Sequence, residues 1–479
     1  MTGGGPAVEK LREYLRTLAP GARALLVAEL ERATLRGERA PGGELILEEL
    51  RRAIREHGQP VQRIGDAARL FFLPLEPFLI DGVADHKRLG RLARVSLDPI
   101  WEWIGRDLLP AEIKTLGEDI NRALSEDDRT KAEQLTRALH DRAQQRIKET
   151  IASVSRDDRA RRRLAVQVGT PRALDDLAIL AAVLARRDAL SDLARRLPNH
   201  LRSFEREQIE SVKTMLEAAA AQKTSAAAAT AKADLFLYGF VLVMSRLSAP
   251  WQLIRIATYA AESDAAGRIA ETPFAVAVTI VIGELECMVG DLRGELKLHR
   301  PVTALLKAIH DTVRGLRTEI DLSGDSPWSR QLTAVRTEVS NLLKAEIETT
   351  PGRVRRLLRP RPAKEVVAGS LLDATDVCEV ETLVEFIGAC RNYANELAVN
   401  EATTRSYSEL QLYLESGAKV LLDALRHAGD ADRPFRQSQV DAAIRFCRVV
   451  FGADYAGLLA KASEIAVQTA NAERKPARA

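Results

Sequence analysis

The sequence predicts an all-α protein, a multi-helix bundle or irregular helical array with a separate C-terminal helical bundle. Three observations predict it. Apolar residues recur at helical spacing through nearly every segment, and no long stretch alternates apolar and polar residues as a half-buried strand would. The chain of 479 residues is 46% apolar but only 5% aromatic, so its core is mainly Leu, Ala, Val and Ile, which suits close-packed helices better than sheets. Pro and Gly, usually beside a capping residue, separate the periodic segments.

Taken in order, 8–18 places Leu11, Leu15 and Leu18 on one helical face, and 22–35 follows with Leu25, Leu26 and Leu30. After a Gly-rich break, 44–57 carries Leu45, Leu47, Leu50 and Ile54, and Gly58 is a natural stop. Pro60 opens a helix that reaches Phe72. The sequence LPLEPFLI at 73–80 is strongly apolar, yet Pro74 and Pro77 rule out a regular helix. An extended segment pinned across a helical core is expected there; a strip for docking a partner is the lesser reading. Ser96 and Asp98 before Pro99 start a helix bearing Trp101 and Trp103, which point to different sides, one to the core and one to a half-exposed seam.

The segment 127–154 is a long amphipathic helix whose Leu135, Leu139, Ala143, Ile147 and Ile151 recur every four residues. That spacing drifts around the helix and favours packing in a bundle over a dimeric coiled coil. Further helices are predicted over 172–197, 200–222, 234–247, 250–262, 272–296, 301–320 and 328–348. The one at 272–296 begins apolar on all sides, as a surrounded helix does. Residues 218–233 are Ala-rich, either a closely packed helix or a helical spacer. Four helices at about 373–401, 408–427, 437–451 and 454–471 have short connections and are expected as antiparallel neighbours. No repeat of fixed period occurs. The expected organisation is an N-terminal helical region over 1–165, a central bundle over 166–350, a basic Pro-containing connector over 351–364 and an acidic four-helix bundle over 365–479.

Charge is concentrated. The net charge is +3, from 70 basic and 67 acidic residues. Six of the basic ones, Arg353, Arg355, Arg356, Arg359, Arg361 and Lys364, fall in one short stretch without an acid; removing them leaves 64 against 67. A general nucleic-acid coat would spread its charge over a whole face. Arginine forms bidentate bonds to carboxylate and phosphate. The stretch can therefore hold a protein partner, which makes these six the candidate partner-binding residues. Anionic lipid or nucleic acid is the less favoured ligand. The plainer account is a solvated linker, or one folded back on the acidic C-terminal bundle. A smaller cluster, Arg159 and Arg161 to Arg163, is offset by Asp157 and Asp158.

Other chemistry is sparse. The pattern of a phosphate-binding loop does not occur, nor does a pair of histidines four apart. Asp423 and His427 lie one turn apart, which a helix C-terminus explains better than a metal does. The acid doublets Asp127-Asp128, Asp157-Asp158 and Asp175-Asp176 read as helix caps. Glu284, Asp291 and Glu295 share one face of the 272–296 helix and would need partners if buried. Cys287, Cys378, Cys390 and Cys447 have neither zinc nor disulfide spacing. The most apolar stretches are about half of the roughly 20 residues that cross a bilayer. No catalytic residue, metal or cofactor is expected. The reading is a cytoplasmic interaction or scaffold protein of bacterial composition. An enzyme with an unfamiliar helical pocket is the alternative, with lipid or nucleic-acid attachment behind it.

Overall fold

A computed structural model describes residues 42–56, 66–82, 88–170, 172–221, 227–298 and 300–472, with scattered residues between 14 and 31. The fold is all-α with many helices. Among the described residues the only sheet is a two-residue parallel pair, Leu79–Ile80 with Leu92–Ala93. The chain divides into two compact units. One comprises Met1–Ala84, Gly90–Asn199 and Thr214–Arg246; the other comprises Asp85–Leu89, His200–Lys213 and Leu247–Ala479.

In the first unit the Arg129–Val154 helix packs on Pro110–Ser125 and Ala173–Arg196. Asp128 caps its start by accepting from the Lys131 amide at 3.0 Å. Its buried face is Ala132, Thr136, Leu139, His140, Ala143 and Ile147, while Leu135 and Ile151 are only half-buried. The expected stripe is thus rotated: the true face follows the helical period, and two polar residues lie inside it. Trp103 is buried, and Trp101 is half-buried, 5.3 Å from the Phe71 ring.

The segment at 73–80 differs from the expected extended chain. Leu73–Phe78 forms a 3₁₀ helix, and only Leu79 and Ile80 are extended. Pro74 sits in its first turn, where no amide donor is required. Leu75 and Phe78 are fully buried, and Phe78 meets Tyr238 edge-on at 5.5 Å. The turn back to the second strand is fixed by Gly90, whose φ of +67° suits a residue without a Cβ. From there Arg91 donates to the Pro77 carbonyl at 2.8 Å.

In the second unit the Ala275–Lys297 helix is buried on most sides over its first half, from Ala277 to Gly283. Pro327–Leu358 is one continuous helix, so Pro351 does not begin a connector. Proline removes one amide bond from the ladder and ordinarily breaks a helix. Here Pro351 is buried and apolar residues flank it on the same face: Leu343 and Ile347 before, Val354 and Leu358 after. Packing of that face outweighs the lost bond. The helix ends where Arg359 turns to ψ +125° ahead of Pro360. The last four helices, Ala374–Asn392, Asn400–Arg426, Arg433–Phe451 and Ala453–Ala472, pack on one another. The first two also pack on Pro327–Leu358. None of the described helices is long and apolar enough to cross a membrane.

Candidate functional site

The basic stretch is partly helix and partly strap. Val354 and Leu358 are buried and Leu357 is half-buried, so the apolar side faces inward as its spacing implies. Arg353 is half-buried on the wall of a cavity of about 30 Å³, with Glu346 and Glu379 on the same wall. Arg355 pairs with Glu409, and its guanidinium lies 5.8 Å from the Tyr413 ring centre. Beyond the helix, the chain is strapped down by two buried side chains of Arg433–Phe451. Gln439 donates to the Arg359 carbonyl at 3.0 Å, and Arg436 donates to the Arg361 carbonyl. The Arg361 guanidinium stacks 5.1 Å over Phe435. Both anchors act on backbone carbonyls, leaving the side chains of Arg356, Arg359 and Lys364 exposed. Val367 and Leu371, a few residues on, are exposed apolar side chains.

The acidic face of Ala275–Lys297 is paired. Arg88 lies 2.6 Å from Asp291 and 3.6 Å from Glu284, and is itself largely buried. Burial disfavours its charge, but Asp291 and Glu284 outweigh that and raise its pKa. Glu295 meets Arg300 at 3.5 Å.

Other sequence candidates also have local partners. Asp157 caps the Asp158–Val168 helix through the Arg159 amide, and Asp175 pairs with Arg172. Asp176 is buried in the first turn of Ala173–Arg196, and burial raises its pKa. The ring of His427 bonds the Asp423 carbonyl, while the Asp423 carboxylate takes Arg426. Among the described residues no three His, Cys, Asp or Glu side chains gather as metal ligands. His57, His86 and His299 lie outside the described residues. Cys287, Cys390 and Cys447 are buried and Cys378 is exposed; burial pushes the Cys447 thiol up to about 12.

A second site was not legible in the sequence. In the first unit a cavity of about 450 Å³ lies between Arg129–Val154, Ala173–Arg196 and the Leu73–Phe78 turn. Its walls include Leu70, Leu73, Pro77, Phe78, Leu190 and Leu242. His140 is its most buried polar side chain. One ring nitrogen, Nε2, lies 2.8 Å from the Phe71 carbonyl, which can only accept, so Nε2 carries the proton. Burial holds the His140 pKa down to about 4, against the pull of that bond, and the charge of Arg187 lowers it further. The ring is therefore neutral near pH 7, and Nδ1 is an acceptor. Nδ1 has no protein partner, and neither does Nε of Arg187, but both atoms are themselves inaccessible and so do not open on the cavity. The available signal was weak: Thr136 and His140, one turn apart beside an apolar stripe.

The chain matches no protein-family model, no curated protein and no solved structure.

Proposed function

We propose that the protein is a cytoplasmic helical interaction protein that holds another protein through the basic strap and does not transform a substrate. The observation that carries the reading is the way the strap is fixed. Its backbone is anchored by buried Arg436 and Gln439, so Arg356, Arg359 and Lys364 are held outward on an ordered segment. A charged surface already ordered loses less conformational entropy when a partner binds. The fitting partner is acidic, with an apolar contact for Val367 or Leu371. Three exposed charges outside the Arg355 pair and the Arg361 stack make a small footprint for nucleic acid or lipid, whose binding would fall steeply with salt.

The alternative of a helical enzyme using Glu284 and Asp291 has less support, since Arg88 engages both acids. The test is the triple variant Arg356→Glu, Arg359→Glu, Lys364→Glu against wild type, each immobilised and challenged with native cytoplasm. A protein retained by wild type and lost by the charge-reversed chain supports the reading. Identical retained sets contradict it. Retention of nucleic acid or anionic vesicles alone favours the minor alternative.

A further inference from the structure

The arginine cluster of the first unit takes no part in the strap. Between Arg156 and Arg163 the chain carries five arginines and two aspartates. Both acids are committed locally: Asp157 caps the Asp158–Val168 helix through the Arg159 amide, and Asp158 pairs with Arg161 at 3.4 Å. The helix buries Leu164 and Val168 and packs on Leu97–Trp103, Arg129–Val154 and Ala173–Arg196. Its outward face carries Arg159, Arg162, Arg163 and Val166, at positions i, i+3, i+4 and i+7 of one side. All four are exposed, Val166 at 82%, and so is Arg156 in the turn before the helix. Among the described residues none of Arg156, Arg159, Arg162 and Arg163 has an acidic partner. The acids of the three neighbouring helices, Asp98 and Glu102 among them, make no ion pair with this face. Folding stability does not account for the arrangement. A helix dipole disfavours cations in the first turn, where Arg159 and Arg161 sit, and like charges at i and i+4, as at Arg159 and Arg163, destabilise a helix.

We propose that this face is a docking surface for an anionic lipid bilayer. A cluster of at least four basic residues on an amphipathic helix is the pattern that anionic headgroups attract. The four guanidinium groups can each take a headgroup phosphate or carboxylate through two parallel bonds. Val166 beside them enters the boundary between headgroups and acyl chains, where an apolar side chain gains from burial. Nucleic acid offers the same phosphates but no apolar layer for the valine. A stable protein interface has an apolar centre depleted of charge, and one valine among four arginines does not supply it. The face lies in the first unit, so lipid docking is independent of what the strap holds.

The experiment is co-sedimentation of the full chain at neutral pH with vesicles of phosphatidylcholine mixed equally with phosphatidylserine, and with vesicles of phosphatidylcholine alone. Wild type is expected to bind the anionic vesicles at low salt, to release them at high salt and to ignore the neutral ones. A basic residue near an anionic surface is worth about fivefold in partitioning, so Arg159→Gln, Arg162→Gln and Arg163→Gln together should weaken binding roughly a hundredfold. Glutamine has a high helix propensity, so the circular dichroism should not change. Arg356→Gln, Arg359→Gln and Lys364→Gln make the same change of net charge in the strap and should shift binding by less than about threefold. Val166→Ser should weaken it about threefold through the lost apolar contact. Wild type that ignores anionic vesicles at low salt, binds neutral ones equally, loses binding equally in the two triple variants, or binds undiminished with Val166→Ser would overturn the proposal. Where the vesicles are ignored, binding of a DNA duplex or of polyglutamate to the same face identifies nucleic acid or an acidic protein as its occupant instead.

Discussion

Lowering the pH from 7 to 4 should destabilise the first unit through His140, by an amount that follows from where the ring sits. Its pKa is about 4 in the fold, against the ordinary value of 6.5. Between those two values the unfolded chain holds a proton that the folded chain does not. Stability therefore rises with pH through that window, is fully present above about 6.5 and is lost as pH falls towards 4. A difference of about 2.5 units, at 1.36 kcal/mol per unit, is worth about 3 kcal/mol. The ring is almost wholly buried, so solvent screens little of this. Other groups titrate in the same range, so the informative quantity is a difference between two proteins. His140→Gln keeps an amide donor for the Phe71 carbonyl and cannot titrate. The assay is the unfolding temperature of wild type minus that of the variant, measured from pH 7.5 to 4. For a unit of this size about 3 kcal/mol corresponds to roughly 6–12 °C, with wild type losing ground as pH falls. Parallel curves for the two proteins, or an NMR titration placing the His140 pKa near 6.5, would refute the reasoning.

Four other expectations concern packing and the strap. Leu75→Ala empties a fully buried position in the 3₁₀ turn and should cost about 2–5 kcal/mol, read by thermal unfolding. Gly315→Ala places a Cβ against the Trp251 ring, which is itself covered by Arg255 at 5.4 Å; overpacking of this kind costs about 1–3 kcal/mol, and an unchanged melting temperature would contradict it. Arg436→Met removes the donor to the Arg361 carbonyl and should speed trypsin cleavage after Lys364, whereas Arg355→Ala should not. Arg355→Ala should also change stability by less than about 1 kcal/mol, because its pair with Glu409 is half-exposed.

Most helices with a repeating apolar face were legible, although Pro110–Ser125 and Asp158–Val168 were not among those expected. Of the four helices after Asp373, the last two appear close to their expected limits, whereas the first ends at Asn392 and not near 401 and the second begins at Asn400 and not at 408; Asp373 caps the first through the Thr375 amide. Three prolines marked regular structure less simply. Pro74 and Pro77 signalled that an α-helix could not continue, but the sequence could not distinguish an extended chain from a 3₁₀ turn, since both satisfy the fixed φ. Pro351 suggested a boundary, and the buried face around it kept the helix intact. The basic cluster was visible as composition, but its anchoring depends on Arg436 and Gln439, more than 70 residues away. The His140 cavity was invisible for the same reason. Its walls come from elements between 70 and 242, and a lone histidine near an apolar stripe is ordinarily a satisfied core residue.

The strap is proposed to present Arg359 and its neighbours to another protein. Placing a photo-crosslinking amino acid at 359 in the full chain, irradiating in native cytoplasm and sequencing the adducts tests it most directly. One dominant adduct to an acidic surface of another protein is expected, lost when Arg356 and Lys364 are reversed to Glu. Adducts confined to this chain's own helices, or an unchanged pattern after reversal, would contradict it.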